Sequence, residues 1–193
     1  MKDKLIQLGY YKNSLKLGDL NMRFNTKRLI VISLLAALCY VGTFINIRIP
    51  IGASTSMIHL GTTAIFISAV LVGKDAGLAG GIGCALFDLL SDFAVWTIPT
   101  FIIKGLTGYV AGKISFSKKR NGESLKYNII AFISGGIISL VGYFLANLFI
   151  FGMTLGNAIA SLVTSITTTT IAIIIAVPLA TAIKKIVSKT NII

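Results

Sequence analysis

The chain has 193 residues, a formal net charge of +12 and a hydrophobic fraction of 55%, yet only 12% of its residues are charged. Soluble domains carry about 25% charged residues, and apolar runs of roughly 20 residues, long enough to cross a bilayer, recur along this sequence. A soluble globular protein is therefore excluded. The sequence predicts an integral membrane protein built of helices, because the short alternating strands of a membrane β-barrel are absent.

The apolar runs predict six transmembrane helices, at about 29–47, 58–72, 76–91, 97–114, 126–151 and 157–183. They define an all-α transmembrane domain at 29–186, between a basic tail at 1–28 and a short tail at 187–193. The segment 48–57 is expected to be an outer loop, which either folds over a pocket or merely connects two helices.

The placement of the basic residues predicts the orientation of this bundle. Lysine and arginine cluster before the first span, in the second and fourth connections and after the sixth span, whereas Arg48 falls on the opposite side. Such a bias follows the positive-inside rule, so both termini are expected to be cytoplasmic. The positive charge is thus a topology signal with some affinity for anionic membrane lipid, and it does not predict a nucleic-acid interface.

Two charged residues, Asp88 and Lys104, lie inside the apolar runs and away from the ends of the predicted spans. Charged side chains in lipid-spanning segments are costly and usually face a protein interior or an aqueous cavity, which makes Asp88 and Lys104 functional-site candidates. Asp88 and Asp92 are four residues apart and share a helical face. We expect Lys104 to pair with one of these two carboxylates, since that would lower the cost of its burial. Trp96, which lies between Asp92 and Lys104 in the sequence, suits the aromatic belt of a membrane interface.

Further polar residues fall at the same predicted depth. His59 opens the second span, although a lone histidine is more often structural than a ligand. Tyr143 and Asn147 close the fifth span, and a polar stripe with three- and four-residue spacing opens the sixth. The full set of predicted substrate-binding residues is His59, Asp88, Trp96, Lys104, Tyr143, Asn147, Asn157, Ser161 and Thr164.

These residues all occupy the outer halves of the spans, and the inner halves are apolar and glycine-rich. A through-pore would carry polar lining to both faces. The pattern instead favours a closed cup that opens outward and binds a small, planar, polar ligand.

No catalytic constellation competes with this interpretation. The sequence has one histidine, no HExxH motif, no nucleophile elbow and no nucleotide-binding loop. We therefore predict neither enzymatic activity, nor a metal site, nor a cofactor, and expect the energy for transport to come from a partner or an ion gradient.

At this point the chain resembles the substrate-binding S components of energy-coupling factor (ECF) vitamin transporters. The resemblance lies in His59-Leu60-Gly61, Gly80-Gly81-Ile82-Gly83, Ala85-Leu86-Phe87-Asp88-Leu89-Leu90, Ala94-Val95-Trp96, Pro99, Phe101-Ile102-Ile103-Lys104-Gly105-Leu106 and Gly108. The size and the six predicted spans are also similar to that family.

The resemblance implies a binding subunit in the cell membrane that captures a vitamin near the outer face, under the loop after the first span. It also implies docking through the first span onto a transmembrane coupling (T) subunit, driven by two cytoplasmic ATPase subunits. The family docks through two alanines four residues apart, and here Ser33 and Ala37 take those positions, beside Ala36. Riboflavin, pyridoxine and the hydroxymethylpyrimidine part of thiamine all suit the predicted cup.

Two other functions remain open at this point. One is a self-sufficient secondary transporter in which Asp88, Asp92 and Lys104 relay protons, although its inner half would lack polar lining. The other is a structural or assembly protein whose charges only hold helices together.

Overall fold

The computed structural model describes residues 26–51 and 54–190. Internal contacts divide the chain into two units, residues 1–30 and 31–193; of the first unit, residues 26–30 are described and are helical. Residues 1–25 of the predicted tail at 1–28 lie outside the described residues. Residues 191–193 of the predicted tail at 187–193 also lie outside them.

The described part of the chain consists of six α-helices and one hairpin of two strands. Their bounds are α1 (Thr26–Phe44), β1 (Asn46–Ile51), β2 (Ser54–His59), α2 (Gly61–Val72), α3 (Ala76–Leu89), α4 (Thr97–Ser115), α5 (Leu125–Leu145) and α6 (Leu155–Thr190).

Within residues 26–51 and 54–190, four stretches are long and apolar enough to cross a membrane, judged by length and composition: Thr26–Phe44, Gly61–Leu89, Leu125–Ile150 and Leu155–Lys189. The chain is therefore a helical, multi-pass membrane protein. The second stretch holds both α2 and α3, which are divided by a turn at Gly73, whose φ of +62° favours glycine.

The turn at Gly73 folds α2 and α3 into an antiparallel pair. A Cβ placed on Gly80 of α3 would lie 2.7 Å from Ile65 of α2, and these two positions are almost equally far from the turn. At 12 and 14 residues, the two helices span only about 18 and 21 Å at 1.5 Å per residue. This pair is shorter than the ~30 Å core of a typical bilayer.

Glycines allow α3 and α4 to approach closely. A Cβ on Gly77 would lie 2.7 Å from the carbonyl oxygen of Gly105, and a Cβ on Gly108 would overlap the carbonyl of Ala76. Small residues at such positions let membrane helices pack backbone against backbone. The packing fixes the rotation of α4, and with it the direction in which Lys104 points.

The segment after α1 is a hairpin, where the sequence predicted a loop at 48–57. β1 and β2 pair antiparallel, with Arg48 opposite Met57 and Asn46 opposite His59. Alternating isoleucines in β1 favour a strand. Pro50 is tolerated because a two-stranded hairpin leaves its outer edge free of ladder bonds.

Several predicted spans differ from the helices. Helix α1 begins and ends three residues earlier than the span at 29–47, and α6 runs to Thr190, seven residues beyond the span at 157–183. The span at 58–72 is shorter, because α2 begins at Gly61 and His59 is the last residue of β2 rather than part of a first helical turn. The span at 126–151 ends in a π-helical turn at Ala146–Ile150.

Polar and apolar side chains separate along the helices. The main apolar cluster includes Phe66 and Phe132, whose rings stack at 4.7 Å, together with alanines of α1, α3, α4 and α6. This cluster lies toward the end of the bundle that carries the α2–α3 and α4–α5 connections. There Phe116 packs beside Gly73, and Gly122 packs against the carbonyl of Val70. We call this the loop end, and the opposite end, which carries β1 and β2, the hairpin end.

Candidate functional site

A cavity of about 80 Å³, measured over the positions available to the centre of a water molecule, opens at the hairpin end. Strand β2, the α3–α4 connection and helices α3, α4, α5 and α6 all contribute to its wall. The lining residues are Thr55, Ser56, Met57, His59, Asp88, Phe93, Trp96, Thr100, Lys104, Ser139, Tyr143, Asn147, Met153, Ser161, Ser165, Thr168 and Thr169.

Most of the residues that the sequence singled out lie on this wall. Those that line the cavity are His59, Asp88, Trp96, Lys104, Tyr143, Asn147 and Ser161. Asn157 and Thr164 do not line it. Asn157 is partly exposed near the start of α6, and Thr164 is buried, with its carbonyl accepting a hydrogen bond from Thr168.

Lys104 is buried, with 3% of its surface exposed. Its ammonium donates one hydrogen bond to the Thr62 hydroxyl at 2.9 Å and another to the Ser139 hydroxyl at 3.1 Å. It also lies 5.1 Å from the centre of the Tyr143 ring, within the range of a cation–π contact. The sequence predicted that an aspartate would pair with Lys104. That prediction is wrong, because the ammonium donates its hydrogen bonds to two hydroxyls instead.

The two aspartates have separate environments. Asp88 is 2% exposed and lines the cavity. Asp92 is outside the cavity wall and forms an ion pair with Arg48 at 2.6 Å, with 80% of its side chain exposed. The helical face that would have carried both residues ends between them, because α3 stops at Leu89.

An aromatic wall closes one side of the cavity. Trp96 stacks on Phe151 at 4.0 Å and contacts Tyr143 at 5.7 Å. The Tyr143 hydroxyl is 3.2 Å from the Thr100 hydroxyl. The wall offers flat apolar faces with polar groups at their edges, and such a surface suits a planar heterocycle.

His59 presents a defined tautomer to the cavity. Its Nδ1 accepts a hydrogen bond from the backbone N–H of Gly61 at 3.1 Å. A neutral imidazole that accepts at Nδ1 carries its proton on Nε2. His59 therefore offers an N–H donor where it lines the cavity.

The hairpin covers the cavity and is tied on both sides of it. The Thr168 hydroxyl shares its proton between the Thr164 carbonyl at 3.0 Å and the Met57 carbonyl at 3.4 Å, and the longer contact joins β2 to α6. Arg48, opposite Met57 in the register, binds Asp92 and lies 5.4 Å from the centre of the Phe93 ring. These contacts hold the hairpin across the mouth of the cavity.

Several lining residues were not predicted from the sequence. Ser139 lies four residues before Tyr143, and Thr100 lies four before Lys104, so helical spacing could have found both. The hairpin residues Thr55, Ser56 and Met57 carry no such signal, since a loop has no periodicity. Among the described residues, no three His, Cys, Asp or Glu side chains come together as metal ligands.

The small residues of α1 face two directions. Ser33 and Ala37 are exposed, next to Leu34, which is 65% exposed. Ala36 is buried, and its carbonyl would overlap a Cβ on Gly83 of α3. Ser33 and Ala37 are therefore accessible to a partner, and Ala36 packs inside this chain.

The fold and the cavity define a class: a helical membrane protein with a cavity lined by polar and aromatic residues at one end and an apolar core behind it. Residues 23–185 match the family described as the S component of ECF-type riboflavin transporters. The match covers most of the chain, and the protein belongs to this family of membrane-embedded, substrate-binding transporter subunits. The resemblance seen in the sequence is confirmed.

Two relatives extend the comparison. A protein of Pyrococcus woesei, described as an uncharacterized protein in a gap 3' region, is 35% identical over 102 residues, or 52% of this chain and 66% of that protein. The thiamine precursor transporter HmpT of Lactococcus lactis subsp. cremoris is 29% identical over 140 residues, or 72% of this chain and 76% of that protein. The chain thus spans about two thirds or more of each relative.

Proposed function

We propose that this subunit captures a single-ring nitrogen heterocycle of the vitamin-precursor type, with hydroxymethylpyrimidine as the best candidate. The observation that carries the proposal is the shared wall of Asp88, Lys104, Trp96 and Tyr143 in one cavity. The relative HmpT, named as a thiamine precursor transporter, supports the same ligand class.

The volume of the cavity favours one ring over a fused ring system. A water molecule needs about 10–15 Å³ of such volume, so 80 Å³ holds roughly five to eight waters, or about 150–240 Å³ of liquid. A pyrimidine with small substituents fits this space. Riboflavin, with three fused rings and a sugar chain, would extend from this cavity into the neighbouring space whose wall shares Thr55, Phe93 and Trp96.

The chemistry of the wall favours a ring that both accepts and donates hydrogen bonds. The Lys104 ammonium is a donor and the Asp88 carboxylate is an acceptor, and an aminopyrimidine carries a ring-nitrogen acceptor beside an amine donor. Trp96 and Tyr143 supply faces for stacking. His59, Asn147 and Ser161 supply further polar groups, so all seven predicted residues on the wall are proposed ligand contacts.

We infer that the hairpin end faces the outside and that the six helices give six membrane passages with both termini in the cytoplasm. The basic residues support this orientation, since Lys113, Lys118 and Lys119 lie at the loop end and Arg48 lies at the hairpin end. Among the described residues, the cluster behind the cavity is apolar, which disfavours a route for a polar ligand toward the loop end. A ligand therefore reaches the site from outside, beneath the hairpin.

Release into the cell then requires partners. We propose that the exposed face of α1 around Ser33 and Ala37 docks onto a T subunit, and that two ATPase subunits supply the energy that this chain does not. S components in general work with such subunits. A proton-coupled transporter that acts alone would need an inward route for the ligand, and the apolar cluster lies where that route would run.

The test uses the single tryptophan of the chain. Because Trp96 lines the cavity, its fluorescence reports ligand binding without a label. Protein purified in detergent is titrated with hydroxymethylpyrimidine, pyridoxine and riboflavin, and small molecules that co-purify are identified by mass spectrometry. We expect hydroxymethylpyrimidine to bind most tightly and Asp88→Asn to weaken it.

Tighter binding of riboflavin would overturn the assignment of the ligand. Proton-dependent uptake by liposomes that contain this chain alone would overturn the proposal of a subunit that depends on partners. Binding with no such uptake is the expected result.

A further inference from the structure

The ammonium of Lys104 links three helices behind the cavity. Lys104 belongs to α4, and its two hydrogen-bond partners, Thr62 and Ser139, belong to α2 and α5. Thr62 is fully buried and Ser139 is 3% exposed. Thr62 does not stand out in the sequence, because it is one of many serines and threonines in apolar helices.

The partners of Lys104 are neutral. Buried charges in proteins are normally paired with an opposite charge or coordinated. Here, within 26–51 and 54–190, no carboxylate oxygen lies within 4 Å of the Lys104 ammonium. An ammonium has three N–H donors, and two are used by the hydroxyls. The third N–H has no hydrogen-bond acceptor among the described residues, and Lys104 lines the cavity beside the Tyr143 ring.

We propose that Thr62 and Ser139 are positioning residues, which fix the Lys104 ammonium so that its remaining N–H selects ligands with a hydrogen-bond acceptor on the ring. This inference rests on the proposed function, since it assumes that the cavity binds a heterocycle. A free lysine side chain has four rotatable bonds and can follow many ligands. Held by two hydroxyls from different helices, it can satisfy only an acceptor at one place.

The expected selectivity follows from the cost of an unmade hydrogen bond to a charge. A site with a buried donor rejects a ligand that leaves the donor without an acceptor. A hydrogen bond to a charged group corresponds to a factor of about 10 to 100 in affinity. We expect this factor between hydroxymethylpyrimidine and its benzyl alcohol analogue, in which CH groups replace both ring nitrogens.

The chain offers a matched control beside Thr62. Thr63, the next residue of α2, is also buried, and its hydroxyl has no hydrogen-bond partner among the described residues. It does not line the cavity. Thr63→Val removes a buried hydroxyl from the same helical turn without touching Lys104.

The first experiment measures selectivity by Trp96 fluorescence with the two probes. We expect Thr62→Val and Ser139→Ala to lower the affinity ratio at least threefold, toward the ratio of Lys104→Met, and Thr62→Ser to keep the ratio of the unchanged protein. Thr63→Val should leave the ratio as it is. An equal loss of affinity for both probes in Thr62→Val and Ser139→Ala would show a merely structural role and overturn the proposal.

The second experiment needs no ligand and separates this inference from the proposed function. The thermal unfolding of ligand-free protein in detergent is compared for Thr62→Val, Lys104→Met and the double variant. If the hydroxyl holds the ammonium, Thr62→Val lowers Tm only when Lys104 is present. Additive changes in Tm would overturn the positioning role even if hydroxymethylpyrimidine binds, whereas coupled changes without binding of either probe would count against the proposed ligand alone.

Discussion

The ion pair between Arg48 and Asp92 should hold the hairpin over the cavity, but only weakly. It joins β1 to the α3–α4 connection at 2.6 Å, with side chains 49% and 80% exposed. Exposed ion pairs contribute about 0.2–1 kcal/mol, because water and salt screen them. If the pair is made only when the hairpin is closed, Asp92→Asn should accelerate ligand dissociation about 1.4- to 5-fold.

The assay is stopped-flow displacement of bound hydroxymethylpyrimidine, followed by Trp96 fluorescence. In the unchanged protein, dissociation should accelerate by a similar factor as salt rises from about 0.01 to 1 M, which shortens the screening length from about 30 to 3 Å. Asp92→Asn should remove this salt dependence. Arg48→Gln should have a larger effect than Asp92→Asn, because it also removes the contact with the Phe93 ring.

Lys126→Gln is the matched control, because it removes an exposed positive charge at the start of α5, away from the hairpin. It should leave the dissociation rate unchanged. A tenfold or larger acceleration by Asp92→Asn would refute the estimate for a screened surface pair. An unchanged rate at every salt concentration would refute the role of the pair in holding the hairpin.

Three further predictions follow from the packing and from the exposed face of α1. Gly83→Ala should lower stability by about 1–3 kcal/mol, because its Cβ would overlap the carbonyl of Ala36; Gly156→Ala, with nothing within 4 Å of its Cβ, should leave the Tm in detergent equal or higher. Phe132→Ala should cost about 3–5 kcal/mol in the same measurement, since the Phe132 ring is fully buried, and a loss below 1 kcal/mol would contradict its place in the core. Ala37→Leu should abolish uptake in cells and leave binding to purified protein intact, and normal uptake would remove the docking assignment.

The sequence alone determined the class of the protein and the end of the bundle that carries the polar residues. Composition and run length are properties of single segments, and the cost of placing polar groups in lipid acts on each segment separately. For that reason the helices, their approximate bounds and the shared depth of Asp88, Lys104 and Asn147 could be predicted without knowing how the helices pack.

Helical spacing also predicted part of the wall, although Asn157 and Thr164 of the predicted stripe do not line the cavity. Tyr143 and Asn147 share a face of α5 and its π-helical turn, and both line the cavity. Asn157 continues the stripe of Ser161 but lies one turn nearer the start of α6, beyond the cavity. The spacing of polar residues in the sequence shows which face of a helix is polar. How many residues of that face line the cavity depends on the neighbouring helices.

Only the tertiary structure decided which groups touch. The partners of Lys104 are Thr62 and Ser139, 42 and 35 residues away in the chain, and Asp92 pairs with Arg48, 44 residues away. These choices depend on how each helix is rotated, and glycines that admit a neighbouring backbone set that rotation. The residues next to a given position in the sequence do not determine how its helix is rotated. The sequence therefore indicated a buried lysine in need of partners, whereas the packing of three helices determined which partners it has.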